Sequence, residues 1–294
     1  MVGEGRSERN PHEHTVVRAH WNAVMGGPGV PRRWKAASPA TSLVAGLTMF
    51  AVLVLLATVL EPEESGRRAL PAATAPPQAG VHPPEVEVLP GTAAFGRSGR
   101  PQDRLSEWAG SMNERLNIPL VALEAYGYAE LALRRSRPDC GLSWSVLAGI
   151  GAVESGHGRY GGADLDETGR PDPPIRGVPL DGSEGVRLIE DTDDGRLDGD
   201  ETYDRAVGPL QFIPGTWRDW GRDADGDGVA DPDDMDDAAL AAGYYLCSED
   251  TDLRRAGQFR DAVLRYNASG DYLQQVLDHA DDYGKRSREM LRVE

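Results

Sequence analysis

The chain of 294 residues is long enough for one or two domains, and its 39% hydrophobic residues can form at least one globular core. The net charge of −17 is unevenly distributed. Residues 1–40 carry six Lys or Arg and three Asp or Glu, whereas residues 61–294 carry 25 basic and 45 acidic residues. A nucleic-acid-binding protein needs a basic surface facing the phosphates, so the acidic segment argues against that class and suits a protein that binds metal cations.

Residues 41–60 form a run of twenty residues without a charged side chain. Such a run is long enough to cross a bilayer as a helix. Three basic residues lie shortly before it and the next one is Arg67, so the positive-inside rule places residues 1–40 in the cytoplasm and the rest of the chain outside. A cleaved signal peptide is the alternative, although its apolar region usually has only about 7–15 residues. The sequence favours a single-pass anchor in the cell membrane, after a disordered cytoplasmic tail at 1–40.

Residues 61–103 contain eight prolines among Ala, Gly and Glu. A segment of this composition buries too little apolar surface to fold and behaves as an extended spacer. We therefore expect a disordered linker at 61–103 that holds a domain at 104–294 above the membrane.

Apolar residues recur at helical spacing through most of residues 104–294. A loop rich in Asp, Gly and Pro interrupts the pattern at 163–205, and no alternation of strands with helices is present. The domain is therefore predicted to be mainly α-helical. The predicted helices cover about 105–116, 119–133, 143–155 with Ser143 as N-cap, 236–247, 255–266 and 272–290.

The two cysteines, Cys140 and Cys247, both lie in this helical region. If the region is outside the cytoplasm, a disulfide between them is the natural interpretation. Two unrelated buried thiols are the alternative.

Glu154 is the only ionisable residue near the end of the apolar helix predicted at 143–155, and the glycine-rich sequence GAVESGHG surrounds it at 151–158. Desolvation in such a place raises the pKa of a carboxyl group, as a general acid for glycosidic cleavage requires. Taken alone, the pattern also fits a solvated carboxylate at a helix end.

Two further blocks, AVGPLQFIPGTW at 206–217 and RYNASGDY at 265–272, follow the Glu-Ser-Gly sequence at 154–156. In this order and spacing the three blocks resemble the lytic murein transglycosylases, most closely the SLT-domain enzymes of the membrane-bound lytic transglycosylase B type. The resemblance covers roughly residues 118–283, and it implies a lysozyme-like helical catalytic domain that acts on peptidoglycan glycan strands.

The resemblance also implies roles for individual residues. Glu154 matches the catalytic acid. Ser155, which follows it, is expected to orient Glu154 or to bond nearby backbone, and we group it with the substrate-binding residues. For Gln211 and Tyr266, a capped loop amide and a core aromatic are the alternatives. The substrate-binding set predicted in this way is Ser155, Thr202, Gln211, Tyr266, Asn267 and Tyr272.

In the mechanism that the family implies, Glu154 protonates the oxygen between N-acetylmuramic acid and N-acetylglucosamine. It then accepts the proton of the muramic acid C6 hydroxyl, which attacks the anomeric carbon and leaves a 1,6-anhydro end. A hydrolytic muramidase is the first alternative, because Asp166 or the acidic stretch 190–204 offers a second carboxylate. A catalytically idle wall-binding module is the second.

The sequence DADGDGV at 223–229 places Asp at positions 1, 3 and 5, and Gly at position 6, of an EF-hand-like loop. Position 12 holds Asp234 instead of the usual Glu. The transglycosylases that the chain resembles close a longer loop with an Asp at position 15, which is Asp237 here. We predict a structural Ca²⁺ site, with a solvated acidic loop as the alternative. Its predicted ligands are Asp223, Asp225, Asp227, Val229 through its carbonyl, and Asp237.

Three other features are interpreted structurally. The acidic run at 191–200 lacks the full EF-hand spacing and is taken as a solvated loop near the cleft. His157 is taken as a loop residue and not a ligand, and Trp144 and Trp217 as core residues.

Overall fold

The computed structural model describes residues 75–88, 99–183 and 185–290, and eight α-helices are the main regular elements in this part of the chain. The prediction of a mainly α-helical domain is confirmed. Among these described residues no helix is both long enough and apolar enough to cross a membrane. The tail predicted at 1–40 and the anchor predicted at 41–60 lie outside the described residues.

Between residues 156 and 213 the described chain contains only short regular elements, namely one 3₁₀ turn and two strands of two residues each. A 3₁₀ turn at Pro101–Leu105 precedes the first helix, and a second one lies at Tyr160–Gly162. The strands pair antiparallel, with Asp164 opposite Asp172 and Leu165 opposite Pro171. The elements are α1 (Ser106–Gly110), α2 (Asn113–Leu116), α3 (Leu120–Ser136), α4 (Trp144–Ser155), β1 (Asp164–Leu165), β2 (Pro171–Asp172), α5 (Pro214–Trp220), α6 (Met235–Leu246), α7 (Ala256–Tyr266) and α8 (Gly270–Met290).

Two differences from the predicted helices have local causes. The single helix predicted at 105–116 is divided into α1 and α2, because Met112 between them has a non-helical φ of −137°. Helix α5 was not predicted, although Pro214 occupies its first turn, where a proline costs no hydrogen bond.

Helix α4 lies in the centre of the core. It is apolar on nearly all faces, as expected for a buried helix, and Trp144, Leu147 and Ile150 are fully buried. It packs mainly against α8. The two helices approach closely at Gly149, where a Cβ atom would lie 2.7 Å from the carbonyl oxygen of Val276. This packing fixes the position of the last turn of α4, which carries Glu154.

A disulfide joins Cys140, in the loop between α3 and α4, to Cys247 directly after α6. The pairing agrees with the interpretation of the two cysteines from the sequence. It connects residues 107 positions apart, and both cysteines are buried within the core.

The linker predicted at 61–103 is wrong for residues 75–88, which lie extended along the helical domain. The indole nitrogen of Trp144 donates to the carbonyl oxygen of Val81 (2.9 Å), and the amide of Val81 donates to Oγ of Ser287 (3.1 Å). A Cβ atom on Gly80 would come within 2.5 Å of the Trp144 ring. The segment lacks regular secondary structure but is held by tertiary contacts.

The boundary predicted at residue 104 is also too late, because Arg100 is part of the core. Its buried guanidinium donates two hydrogen bonds to Asp236 (2.6 and 2.8 Å) and one to Glu124 (2.9 Å). Arg100 therefore compensates two carboxylates that burial removes from water.

The loop at 163–205, called the excursion below, is held by backbone hydrogen bonds that join the segments around residues 180, 189 and 204. The amide of Leu180 donates to the carbonyl oxygen of Asp204, and that of Ile189 donates to Leu180. Isolated bridges join Arg176 to Val207 and Glu190 to Tyr203. The excursion thus leads directly into the loop that carries Gln211.

Candidate functional site

Glu154 lies in the last turn of α4 and is 6% exposed. The helix ends at Gly156, whose φ of 60° is left-handed and gives the reversal that a glycine allows most easily. Burial raises the pKa of Glu154 to about 8, and a hydrogen bond from Tyr272 opposes part of that rise. The carboxyl group is therefore protonated at neutral pH, which is the state that a general acid needs.

The hydroxyl of Tyr272 donates to Oε1 of Glu154 over 2.7 Å. Tyr272 is the third residue of α8 and is fully buried, and its amide donates to Oγ of Ser269 just before the helix. Burial and the neighbouring Glu154 raise the pKa of Tyr272 well above its usual value. The phenol thus stays protonated and remains a donor.

Tyr266, the last residue of α7, lies close enough to Glu154 to be affected by its charge. Burial raises its pKa well above the usual value, and the charge of Glu154 adds to the rise. Its hydroxyl donates to the carbonyl oxygen of Leu210 (2.8 Å). Tyr266 thus connects the helix pair α7–α8 to the loop before α5.

Ser155 connects α4 to the same loop. Its hydroxyl donates to the carbonyl oxygen of Pro209 (2.5 Å) and accepts from the amide of Gly158 (2.7 Å). The residue is 1% exposed. The structure therefore places Ser155 as a residue that bonds nearby backbone and holds the loop beside Glu154.

Gln211 lies in a tight reversal, in which Val207 and Phe212 exchange both backbone hydrogen bonds. Gly208 is required there, because it has a φ of 75° and a Cβ atom on it would lie 1.8 Å from the carbonyl oxygen of Pro232. Nε2 of Gln211 donates to the carbonyl oxygen of Gly208 (2.7 Å). Oε1 of Gln211 is buried and has no hydrogen-bond partner within the described part of the chain.

For two predicted substrate-binding residues, Thr202 and Asn267, the described part of the chain shows no side-chain hydrogen bond to Glu154, Tyr272 or Gln211. Thr202 is exposed. Its amide donates to the side chain of Asp200, and its carbonyl oxygen accepts from the amide of Asp191. Asn267 caps the end of α7, and its amide donates to Val263.

The carboxylate of Asp166, one candidate for a second catalytic carboxylate, accepts bonds from the amides of Thr168 and Arg170 within its own turn. These bonds lower the pKa of Asp166 despite some desolvation. Among the described contacts, none brings a second carboxylate to Glu154.

His157 was interpreted as a loop residue, and the structure gives it a more defined place. It is 3% exposed, and its ring nitrogens lie 3.2 Å from the hydroxyl of Tyr126 and 3.0 Å from that of Tyr283. Burial lowers the pKa of His157 to about 3, so the ring is neutral. The core interpretation of Trp144 and Trp217 is confirmed, since they are 0% and 6% exposed.

The predicted calcium loop brings Asp223, Asp225 and Asp227 together, with one carboxylate oxygen of each within 4.8 Å of the others. Gly226 and Gly228 have φ values of 81° and 92°, which shape the turn between them. Burial raises the pKa of Asp225, and the charges of Asp223 and Asp227 add to the rise.

Asp237 lies at the start of α6 and holds the two ends of this loop. Its carboxylate accepts from the amide of Ala224 (2.6 Å) and from that of Asp231 (2.9 Å). Burial raises the pKa of Asp237 to about 9. Asp234 instead caps α6 by accepting from the amide of Asp236, and the side chain of Val229 is exposed.

The interpretation of the acidic run at 191–200 as a solvated loop is wrong for Asp193. This residue is 9% exposed, and Asp204, a few residues further on, is fully buried. The Asp-Gly spacing of the run resembles that of the calcium loop, but burial in an irregular loop depends on long-range contacts that the spacing does not show.

Comparison of the chain with protein-family models, with curated proteins and with solved structures found no match.

Proposed function

We propose that the protein is a peptidoglycan lytic transglycosylase. It cleaves the β-1,4 bond between N-acetylmuramic acid and N-acetylglucosamine, with 1,6-anhydro ends as products, in cell-wall turnover or remodelling. The observation that carries the proposal is the buried carboxyl group of Glu154, which accepts a hydrogen bond from Tyr272. One carboxyl group with a pKa near 8 is suited to give a proton and to take one back.

The electrostatics around Glu154 support a reaction with a single carboxylate. Glu154 donates its proton to the glycosidic oxygen, and the resulting carboxylate is stabilised by the hydroxyl of Tyr272. The 2-acetamido group of the substrate stabilises the anomeric carbon, as in substrate-assisted glycosidases. The carboxylate then accepts the C6 hydroxyl proton as that oxygen forms the anhydro bond, so the acid is regenerated without water.

The free oxygen of Gln211 supports a sugar ligand. A buried acceptor without a hydrogen-bond partner costs free energy, and a sugar hydroxyl or acetamido N–H is a donor that would satisfy it. Since the loop that carries Gln211 is bonded by both Ser155 and Tyr266, its position relative to Glu154 is fixed.

We further propose that this mainly helical domain has a lysozyme-like fold with a structural Ca²⁺ in the loop at 223–237. The three converging carboxylates of Asp223, Asp225 and Asp227 fit a hard cation, which prefers oxygen ligands. The oxygens of Asp237 already bond two backbone amides at the ends of the loop. A bound ion would add the stabilisation that compensates the mutual repulsion of these side chains.

The site of action follows from the composition of residues 1–60. We propose that residues 41–60 anchor the protein in the cell membrane and that the helical domain faces the wall outside it.

The experiment that tests this function is the Glu154→Gln substitution, which keeps the size of the side chain and removes the transferable proton. We expect loss of glycan-strand cleavage by at least about a thousandfold, a loss typical of removing an essential group. Glu107→Gln, at an exposed position of α1, is the matched control and retains activity. Unchanged cleavage by the Glu154→Gln protein would remove Glu154 from the catalytic role.

A further inference from the structure

Three aspartates of the excursion converge at a place separate from the loop at 223–237. One carboxylate oxygen from each of Asp191, Asp193 and Asp204 lies within 4.8 Å of the others. Asp193 and Asp204 are buried, and Asp191 is partly buried. Two of these residues are close in sequence, and the third is brought to them by the return of the chain from 199 to 204.

Asp193 supplies the observation that points to a ligand. Its Oδ2 accepts a bond from the amide of Leu197 (3.0 Å), whereas its Oδ1 is buried and has no hydrogen-bond partner among the described residues. A carboxyl oxygen that is removed from water and left without a hydrogen-bond donor is costly, so such an atom calls for a cation or another donor.

The surrounding charges do not supply that cation. Residues 189–204 contain eight acidic residues and a single basic one, Arg196. The side chain of Arg196 donates to the backbone carbonyl of Asp193 (2.7 Å), and Arg205 pairs with Asp200 (2.8 Å). Within the described part of the chain, no ion pair reaches any of the three converging carboxylates.

We propose that Asp191, Asp193 and Asp204 bind a divalent cation of the Ca²⁺ type, at a site distinct from the loop at 223–237. All the ligands are carboxylate oxygens, without His or Cys, which is the donor set of a hard cation. Oδ1 of Asp191 accepts the amides of Asp193 and Gly195, which leaves Oδ2 of Asp191 for the ion. Each oxygen of Asp204 accepts one bond from Thr192 and keeps a second lone pair.

A cation at this site would hold the end of the loop at 163–205, which leads directly into the segment that carries Gln211. Asp204 accepts both the amide and the hydroxyl of Thr192 (2.9 Å each), and its backbone bonds Leu180 and Ile189. Two residues after Asp204 begins the loop at 206–212 that holds Gln211. The ion therefore fixes the segment just before that loop.

The test counts Ca²⁺ ions bound to the full-length protein by isothermal titration calorimetry after removal of metal with a chelator. We expect Asp193→Asn to bind one Ca²⁺ fewer than the wild type, or to bind it at least about tenfold more weakly, because ligand charge sets affinity in such sites. Asp194→Asn is the matched control. It changes the same charge at the exposed neighbouring position, whose φ of 59° suits Asn, and it binds as many ions as the wild type.

Asp225→Asn distinguishes the two sites. It should lose the ion of the loop at 223–237 and keep the ion at Asp193, whereas Asp193→Asn should show the reverse. An equal number of ions with equal affinities in Asp193→Asn and the wild type overturns the proposal. If Asp193→Asn does not fold, a crystal structure of the wild type grown with CaCl₂ decides. An ion bound by the three carboxylates supports the site, and a water molecule or a protein donor at Oδ1 of Asp193 overturns it.

Discussion

The phenolic oxygen of Tyr272 lies 2.7 Å from Oε1 of Glu154, and both residues are nearly excluded from solvent. They come from the start of α8 and the end of α4, the two helices that pack most closely on each other. Burial thus raises the pKa of Glu154, and the hydrogen bond from Tyr272 limits that rise because it stabilises the ionised carboxylate.

Replacing Tyr272 by Phe removes the hydrogen bond that favours ionised Glu154, so the pKa of Glu154 rises. Activity requires the protonated acid and should decline above about pH 8 in the wild type. A bond to a charged group is worth about 1.5–3 kcal/mol, so the alkaline limb of kcat/KM should move up by roughly one pH unit or more. The measurement is the pH profile of glycan cleavage.

Tyr283→Phe is the control for this profile, since the hydroxyl of Tyr283 bonds His157 and not Glu154. Its alkaline limb should match that of the wild type. An unchanged limb in Tyr272→Phe, or one at lower pH, would show that the hydrogen bond does not control the acid.

Stability should also depend on the ionisation of Glu154. The pKa of Glu154 is about 8 in the folded protein, above the ordinary carboxyl value of 4.5, so the folded state holds the proton more tightly. Its contribution to stability is complete below about pH 4.5 and is lost as pH rises through 8. The side chain of the Glu154→Gln variant is neutral at every pH, so the variant does not lose this stability as the pH rises.

We therefore expect Glu154→Gln and the wild type to melt at similar temperatures near pH 4.5, with the variant increasingly more stable towards pH 9. The gain is on the order of 3 kcal/mol, or several degrees in Tm. Thermal denaturation across this pH range measures it. A difference in Tm that does not vary with pH would contradict a raised pKa.

The packed segment at 75–88 and Arg100 predict the effect of shortening the chain. A chain that starts at residue 104 loses the donor to Glu124 and Asp236 and the acceptor for the Trp144 indole, whereas one that starts at residue 75 keeps them. Leaving buried carboxylates without a partner costs about 3–5 kcal/mol.

The shorter chain should accordingly melt on the order of 10 °C below the longer one. Arg100→Ala in the longer chain should reproduce a large part of this loss, which separates the ion pairs from the contacts of residues 75–88. Equal melting temperatures for the two chains would show that the domain does begin at 104.

The sequence was sufficient where the signal is local. The periodicity of apolar residues predicted α3, α4 and α6 to α8 to within a few residues. The position of Glu154 at the end of an apolar helix fitted both a buried and a solvated carboxyl group, and the structure buries it. Tyr272 came only from the resemblance, because its contact with Glu154 spans 118 positions.

The misses share a physical cause. A proline-rich composition indicates that residues 75–88 lack regular structure, but it does not show that Gly80 and Val81 have a place against Trp144. Likewise, eight acidic residues at 189–204 suggest solvation, and only the fold of the excursion determines that Asp193 is buried. In both cases long-range packing overrides local composition.

The loop at 223–237 predicts a dependence on calcium. Asp225→Asn removes the carboxylate at position 3, and we expect the variant to bind one Ca²⁺ fewer than the wild type. A ligand bound only by the folded state stabilises it, so Ca²⁺ should raise the Tm of Asp225→Asn less than that of the wild type. Asp219→Asn, at an exposed position of α5, is the control. An equal number of bound ions in Asp225→Asn and the wild type would reject this site.

The central claim is that the C6 hydroxyl of the sugar, and not water, attacks the anomeric carbon. Peptidoglycan digested by the wild-type protein in ¹⁸O-labelled water, and analysed by mass spectrometry, tests this claim most directly. We predict 1,6-anhydro-muramic acid ends without ¹⁸O, formed by the wild type and by Glu107→Gln but not by Glu154→Gln. Reducing ends that carry ¹⁸O would contradict the account and identify the protein as a hydrolytic muramidase.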